Sequence, residues 1–101
     1  MKLKIYSVYD SKAQAYLQPF YMPSRGAALR AWGDAVNDNN GQFKKHAGDY
    51  SLFELGEFND ENGTFEIDIQ RTNLGNGVEF LERKEPQDIQ AAQQIINRKK
   101  G

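Results

Sequence analysis

Between Tyr50 and Gln70 the chain reads YSLFELGEF, NDENG, TFEIDIQ, and this run restricts the possible folds more than any other. Two segments of β-prone residues flank Asn59-Asp60-Glu61-Asn62-Gly63, the pattern of a β-hairpin closed by a turn. In the second segment Phe65, Ile67 and Ile69 alternate with Thr64, Glu66, Asp68 and Gln70. That period of two predicts one buried face and one wet, acidic face. Gly56, inside the first segment, predicts a bulge or a close backbone approach.

A second hairpin is expected at the front of the chain. Leu3–Asp10 is rich in Ile, Val and Tyr and ends in the turn-prone Asp10-Ser11-Lys12, and Ala15–Met22 follows as its partner strand. Pro19 cannot donate a ladder hydrogen bond, which places that partner at an edge or a bulge. Phe20 and Tyr21 point to opposite faces of a strand, so a one-sided sheet can bury only one of them. Ser24 then serves as an N-cap, and Ala28, Leu29, Trp32, Ala35 and Val36 recur at helical spacing. Trp32 and Leu29 are expected to face inward, Arg25 and Arg30 to project from the helix surface, and Asn37–Gly41 to stop it.

These elements predict an α+β domain over residues 1–70, an antiparallel sheet from two β-hairpins with one helix packed across it in the order ββαββ. Residues 71–101 form a C-terminal extension, weakly structured or helical. Leu74–Glu82 is expected to add a short strand, and Pro86–Lys100 a helix with Ile89, Ala92 and Ile96 on a narrow stripe. The chain has 101 residues, enough for one small domain. With 39% hydrophobic and 12% aromatic residues, aromatic rings must carry much of the core.

Charge is uneven along the chain. Residues 1–48 hold seven Lys/Arg and three Asp, residues 49–70 seven acids and no base, and residues 71–101 six Lys/Arg and four acids; +4, −7 and +2 sum to the net −1. A basic front and an acidic middle favour an anionic partner on one face or self-association, and the overall balance argues against a strong non-specific DNA binder. A homodimer is expected, through the Pro19 edge or the sheet face. Without cysteine, thiolate chemistry is absent and a metal site would rest on His46 and carboxylates alone. No metal, cofactor or membrane span is expected.

Catalysis finds little support. With one histidine and no Gly-rich phosphate loop, no nucleophile stands at a recognisable spacing from a base. His46 reads as an exposed loop residue and Glu66 with Asp68 as solvated charge, so no enzymatic activity is expected. Nucleic-acid binding has more: Tyr6, Tyr9, Tyr16, Phe20 and Tyr21 fall on the first hairpin beside Lys2, Lys4, Lys12 and Arg25. Aromatic rings that stack on bases and cations that track phosphates make up a single-strand binding surface. The competing reading is that the same rings fill a core poor in aliphatic residues.

The motifs Val8-Tyr9-Asp10, Pro19-Phe20 with Pro23, the Ala28-x-Arg30-x-Trp32 pattern and DYSLFELGEFND with Gly63 closing the turn resemble the small nonstructural protein of gokushovirus-type microviruses. These are single-stranded-DNA phages, and the likeness covers roughly the first seventy residues. It implies a protein of the infected bacterium's cytoplasm, absent from the virion shell, acting between duplex replication and single-strand synthesis or packaging. On that reading Lys2, Lys4, Lys12, Arg25, Arg30, Lys44 and Lys45 contact phosphates, and Tyr6, Tyr9, Phe20 or Tyr21 stack on bases. The alternative is a protein-interaction module for a host replication or phage assembly protein, with Glu66, Asp68 and the C-terminal helix making the contacts.

Overall fold

A computed structural model describes residues 1–82. Five antiparallel strands form one sheet: β1 Lys2–Asp10, β2 Ala15–Tyr16, β3 Phe20–Met22, β4 Tyr50–Asn59 and β5 Thr64–Asn76. The order is β2-β1-β4-β5, and β3 shares the outer edge of β1 with β2. Helix α1 spans Arg25–Asn37, α2 Gln42–Lys45 and α3 Gly77–Phe80, with a 3-10 turn at Ala47–Asp49. The fold is the expected α+β class with an antiparallel sheet. The expected Pro86–Lys100 helix lies outside the described residues.

The partner of β1 is two short strands where one was expected. Tyr16 pairs with Tyr9, and Phe20, Tyr21 and Met22 pair with Tyr6, Ile5 and Lys4. Between them Leu17-Gln18-Pro19 leaves the ladder, as Pro19 requires. The interruption is fastened rather than loose: Leu17 N donates to Val8 O at 2.8 Å and Ser7 Oγ to Leu17 O at 2.5 Å.

Helix α1 begins where the sequence places it. Ser24 Oγ accepts from Ala27 N at 3.1 Å, a cap that stabilises a helix start by about 1 kcal/mol. Ala28, Trp32 and Val36, four residues apart, form its buried stripe. They pack on Tyr6, Val8 and Leu52 of the sheet, with Phe20, Leu29 and Phe43 closing the margins. Each of the larger apolar side chains buried there contributes about 1.5–3 kcal/mol. Phe20 turns into this core and Tyr21 outward at 43% exposure, the division that strand alternation demands.

Two expectations for the second half are overturned. Phe65, Ile67 and Ile69 do not form a buried face: they are 56%, 62% and 99% exposed, and β5 is exposed from Thr64 to Asn73. The alternation is real, but α1 packs on the other face of the sheet, over Tyr6, Val8 and Leu52, so the face that Phe65 and Ile67 share has no layer above it, and Ile69 lies in a break of the β4–β5 ladder. Nor is Leu74–Glu82 a separate strand. Leu74–Asn76 ends β5, and Gly77–Phe80 turns into α3, where Asn76 and Glu79 make a reciprocal capping box. Asn37 anchors this turn, its Nδ2 donating to Phe80 O at 2.9 Å and its Oδ1 accepting from Glu82 N at 2.7 Å.

Candidate functional site

Strand register sorts the side chains of the sheet into two faces. Tyr6 and Val8 of β1 lie under α1, and Leu3, Ile5, Ser7 and Tyr9 therefore point to the opposite side. Their ladder partners extend that side outward: Tyr16 opposite Tyr9, Tyr21 opposite Ile5, Phe53 opposite Ser7, Phe58 opposite Leu3, and Phe65 opposite Phe58. Six aromatic rings thus share a sheet face that no element of the described residues covers.

The rings form two groups. Tyr9 and Tyr16 have centroids 4.8 Å apart, and Phe53 stands edge-on to both, at 6.3 Å from Tyr9 and 5.6 Å from Tyr16. The Arg71 guanidinium lies 5.8 Å from the Tyr16 centroid, a cation–π contact. In the second group Phe58 contacts Tyr21 at 5.8 Å and Phe65 at 4.7 Å. Tyr16 is 42% exposed, so the first group offers one open ring braced by two others and topped by a positive charge.

The other face carries paired charge. The Glu54 carboxylate is buried, yet it accepts from Arg25 Nη2 at 2.8 Å, Arg25 Nε at 3.2 Å and Tyr6 Oη at 3.1 Å. Hydrogen bonding to Arg25 holds the Glu54 carboxyl below the ordinary glutamate range, and burial pushes the Tyr6 phenol up to about 12. Lys4 Nζ meets Glu57 Oε1 at 2.6 Å, with Lys2 Nζ 4.0 Å from the same carboxylate.

The residues singled out in the sequence are therefore divided by the sheet. Tyr6 is completely buried and Phe20 stacks on it at 5.8 Å within the core, so neither offers a face to a base. Arg25 and Lys4 are already engaged by carboxylates. Lys2 shares their side of the sheet, and Arg30, Lys44 and Lys45 ride on the helices, Lys44 bonded to Asn39 Oδ1 at 2.5 Å. Lys45 and His46 line a polar hollow of about 480 Å³ with Tyr50. Tyr9 and Tyr21 are on the open face, and Lys12 is exposed in the turn after Tyr9. Of the expected cations only Lys12, in the β1–β2 turn, falls beside an expected ring of the open face, Tyr9; Lys2, Lys4 and Arg25 lie on the other side of the sheet, and Arg30, Lys44 and Lys45 on the helices. What sequence reasoning passed over is Phe53, Phe58, Phe65 and Arg71, whose grouping depends on strand register.

An antiparallel sheet with helices on one side and an aromatic array on the other defines an open-faced α+β domain. Residues 3–80 match the model of the family described as Phage ORF5 protein, and the chain belongs to that family. No curated protein and no solved structure matches the chain. Among the described residues no helix is long and apolar enough to cross a membrane.

Proposed function

We propose that this phage protein is a non-enzymatic, single-stranded-DNA-binding nonstructural protein of the gokushovirus type, supporting viral genome synthesis or packaging in the host cytoplasm. The observation that carries this reading is the braced group of Tyr9, Tyr16 and Phe53 on the open face with Arg71 over Tyr16. Exposed rings stack on unpaired bases irrespective of sequence, each contact contributing about 1–3 kcal/mol, and a nearby guanidinium or ammonium meets the phosphate. Tyr16 supplies the ring, Tyr9 and Phe53 fix its orientation, and Arg71 and Lys12 are the cations within its neighbourhood. A duplex keeps its bases stacked inside and gives the platform nothing to hold.

The charge layout limits the strength of binding. Lys4 and Arg25 are neutralised, and Glu66 and Asp68 sit along β5, so stacking outweighs phosphate contacts. The test is fluorescence anisotropy with a labelled single-stranded oligonucleotide, with the duplex of the same sequence as control. Binding to the single strand that Tyr16→Ala weakens by about fivefold or more is expected. No binding at low salt, where attraction to phosphate is strongest, would transfer the assignment to a protein-interaction role.

A further inference from the structure

Arg71 belongs to two places on the open face. Its guanidinium lies 5.8 Å from the Tyr16 ring centroid, and its side chain also lines an apolar hollow of about 240 Å³ formed by Ile5, Pro19, Leu55 and Ile67 with the rings of Tyr21 and Phe65. The hollow lies where two ladders are irregular. Pro19 stands in the gap between β2 and β3, and Leu55 and Arg71 stand in the break between the pairs Glu54↔Thr72 and Gly56↔Ile67. Tyr21 and Phe65 are 43% and 56% exposed, and each packs on Phe58, at 5.8 and 4.7 Å, so these rings are braced from one side as Tyr16 is.

We propose that this hollow is a second seat for the DNA strand, taking a thymine base while Tyr16 takes another, with Arg71 between the two; the inference rests on the reading of Tyr16 as a base platform. The rings of Tyr21 and Phe65 offer stacking surface to the base. The aliphatic side chains of Ile5, Leu55 and Ile67 suit the C5-methyl group, the apolar feature that thymine alone carries on its edge. Cytosine would bring an exocyclic amino group to a lining whose side chains include no carboxylate or amide to receive it.

Spacing and charge both fit one strand over the two seats. Tyr16 pairs with Tyr9 and Tyr21 with Ile5, four residues earlier in β1, so the seats are about 13 Å apart along the sheet. Stacked neighbours in a strand rise by only about 3.4 Å, so the two seated bases belong to nucleotides that are not stacked on each other, as an unpaired strand permits. The acids of this stretch serve the opposite side of the sheet. Glu54 and Glu57 bond Arg25 and Lys4 there, Glu66 is the ladder partner of Glu57, and Asp68 acts on the charge of Arg25. The side chains that line the hollow thus include one cation and no carboxylate, which suits the phosphates that join the two bases.

Fluorescence anisotropy of the full chain with labelled oligothymidylate and oligodeoxyuridylate of equal length tests the seat, because the two strands differ only in the methyl groups. The wild type should bind the thymine strand about fourfold more tightly, the effect of burying one methyl group. Tyr21→Ala should weaken binding of the thymine strand by about fivefold or more and bring the ratio of the two affinities close to one. Tyr16→Ala should weaken both strands alike and keep the ratio. Circular dichroism checks that each variant is folded, and the wild-type ratio needs no variant at all. Equal affinity of the wild type for the two strands overturns the inference, and so does a ratio that Tyr21→Ala leaves intact or that Tyr16→Ala abolishes; the platform reading survives these outcomes as long as Tyr16→Ala weakens binding. Absence of binding to either strand overturns both.

Discussion

Arg25 holds Glu54 by both of its carboxylate oxygens, Nε to Oε1 at 3.2 Å and Nη2 to Oε2 at 2.8 Å, and so ties the first residue of α1 to the centre of β4. The Glu54 side chain is 7% exposed and that of Arg25 54%. A side chain that reads as a phosphate contact in the sequence is thus occupied in keeping a buried carboxylate paired. Tyr6 Oη, on the β1 side, completes the arrangement.

Removing the cation strands the carboxylate. Arg25→Ala leaves the buried Glu54 carboxylate without its cation and should destabilise the fold, by less than the loss of a fully buried pair because water already reaches the half-exposed guanidinium. Urea unfolding should show the loss at neutral pH. Because the Glu54 carboxyl is held below its unfolded value by Arg25, its contribution is complete above the unfolded pKa and disappears as pH falls through the lower, folded one. Arg25→Ala should therefore lose least relative to wild type in acid, and a destabilisation that stayed constant down to low pH would contradict the pairing.

Tyr6→Phe isolates the third partner. The variant keeps the ring on Phe20 and loses one hydrogen bond to a charged acceptor, which costs about 1.5–3 kcal/mol. The phenol is raised to about 12 in the folded chain. Its stabilising effect is full below the unfolded value of about 10 and is lost as pH climbs from there towards about 12. Stability of the wild type should fall over that alkaline window in excess of the Tyr6→Phe protein, as followed by chemical denaturation at each pH.

Gly56 shows a local rule of sequence reading holding. Its φ is +158°, and a Cβ there would stand 2.2 Å from Glu66 O and 2.9 Å from Ile67 Cα. The neighbour is backbone of β5, which cannot step aside without opening the ladder. Gly56→Ala should cost about 2–4 kcal/mol, whereas Gly63→Ala in the hairpin turn meets no atom within 4 Å and should lose only about 1 kcal/mol for its φ of +74°. Paired thermal melts of the two variants check the difference.

What the sequence conveys and what it withholds divide along the range of the interaction. Ser24 as cap, the Ala28-Trp32-Val36 stripe, the Asn59–Gly63 turn, the edge position of Pro19 and the opposition of Phe20 to Tyr21 are set by neighbours a few residues away, and each is legible. Which face of β5 is buried is not local. Phe65, Ile67 and Ile69 alternate as a core strand does, but α1, some thirty residues earlier in the chain, packs on the other face of the sheet, and no local pattern says which face it takes. The site was partly hidden for the same reason. Tyr9 and Tyr21 were visible as candidates, but Phe53, Phe65 and Arg71 join them only through the register of β4 with its neighbours. Arg25 and Lys4 looked free because Glu54 and Glu57 lie about thirty and fifty positions away.

The placement of the cations makes the salt dependence of DNA binding diagnostic. Single-strand binding loses affinity with a slope of about −0.7 per neutralised phosphate in a plot of log K against log salt. If Lys12 and Arg71 are the contacts beside the Tyr16 ring, the wild-type slope is about −1.4, and Arg71→Ala should bring it to about −0.7 while also weakening binding through the lost cation–π contact. Tyr16→Ala should lower affinity at every salt concentration and leave the slope unchanged, since it removes stacking and no charge. Arg25→Ala, measured at a pH and temperature where it is folded, should alter neither. A slope that drops with Arg25→Ala and ignores Arg71→Ala would move the DNA to the helical side of the sheet, where the cations are more numerous but the rings are buried.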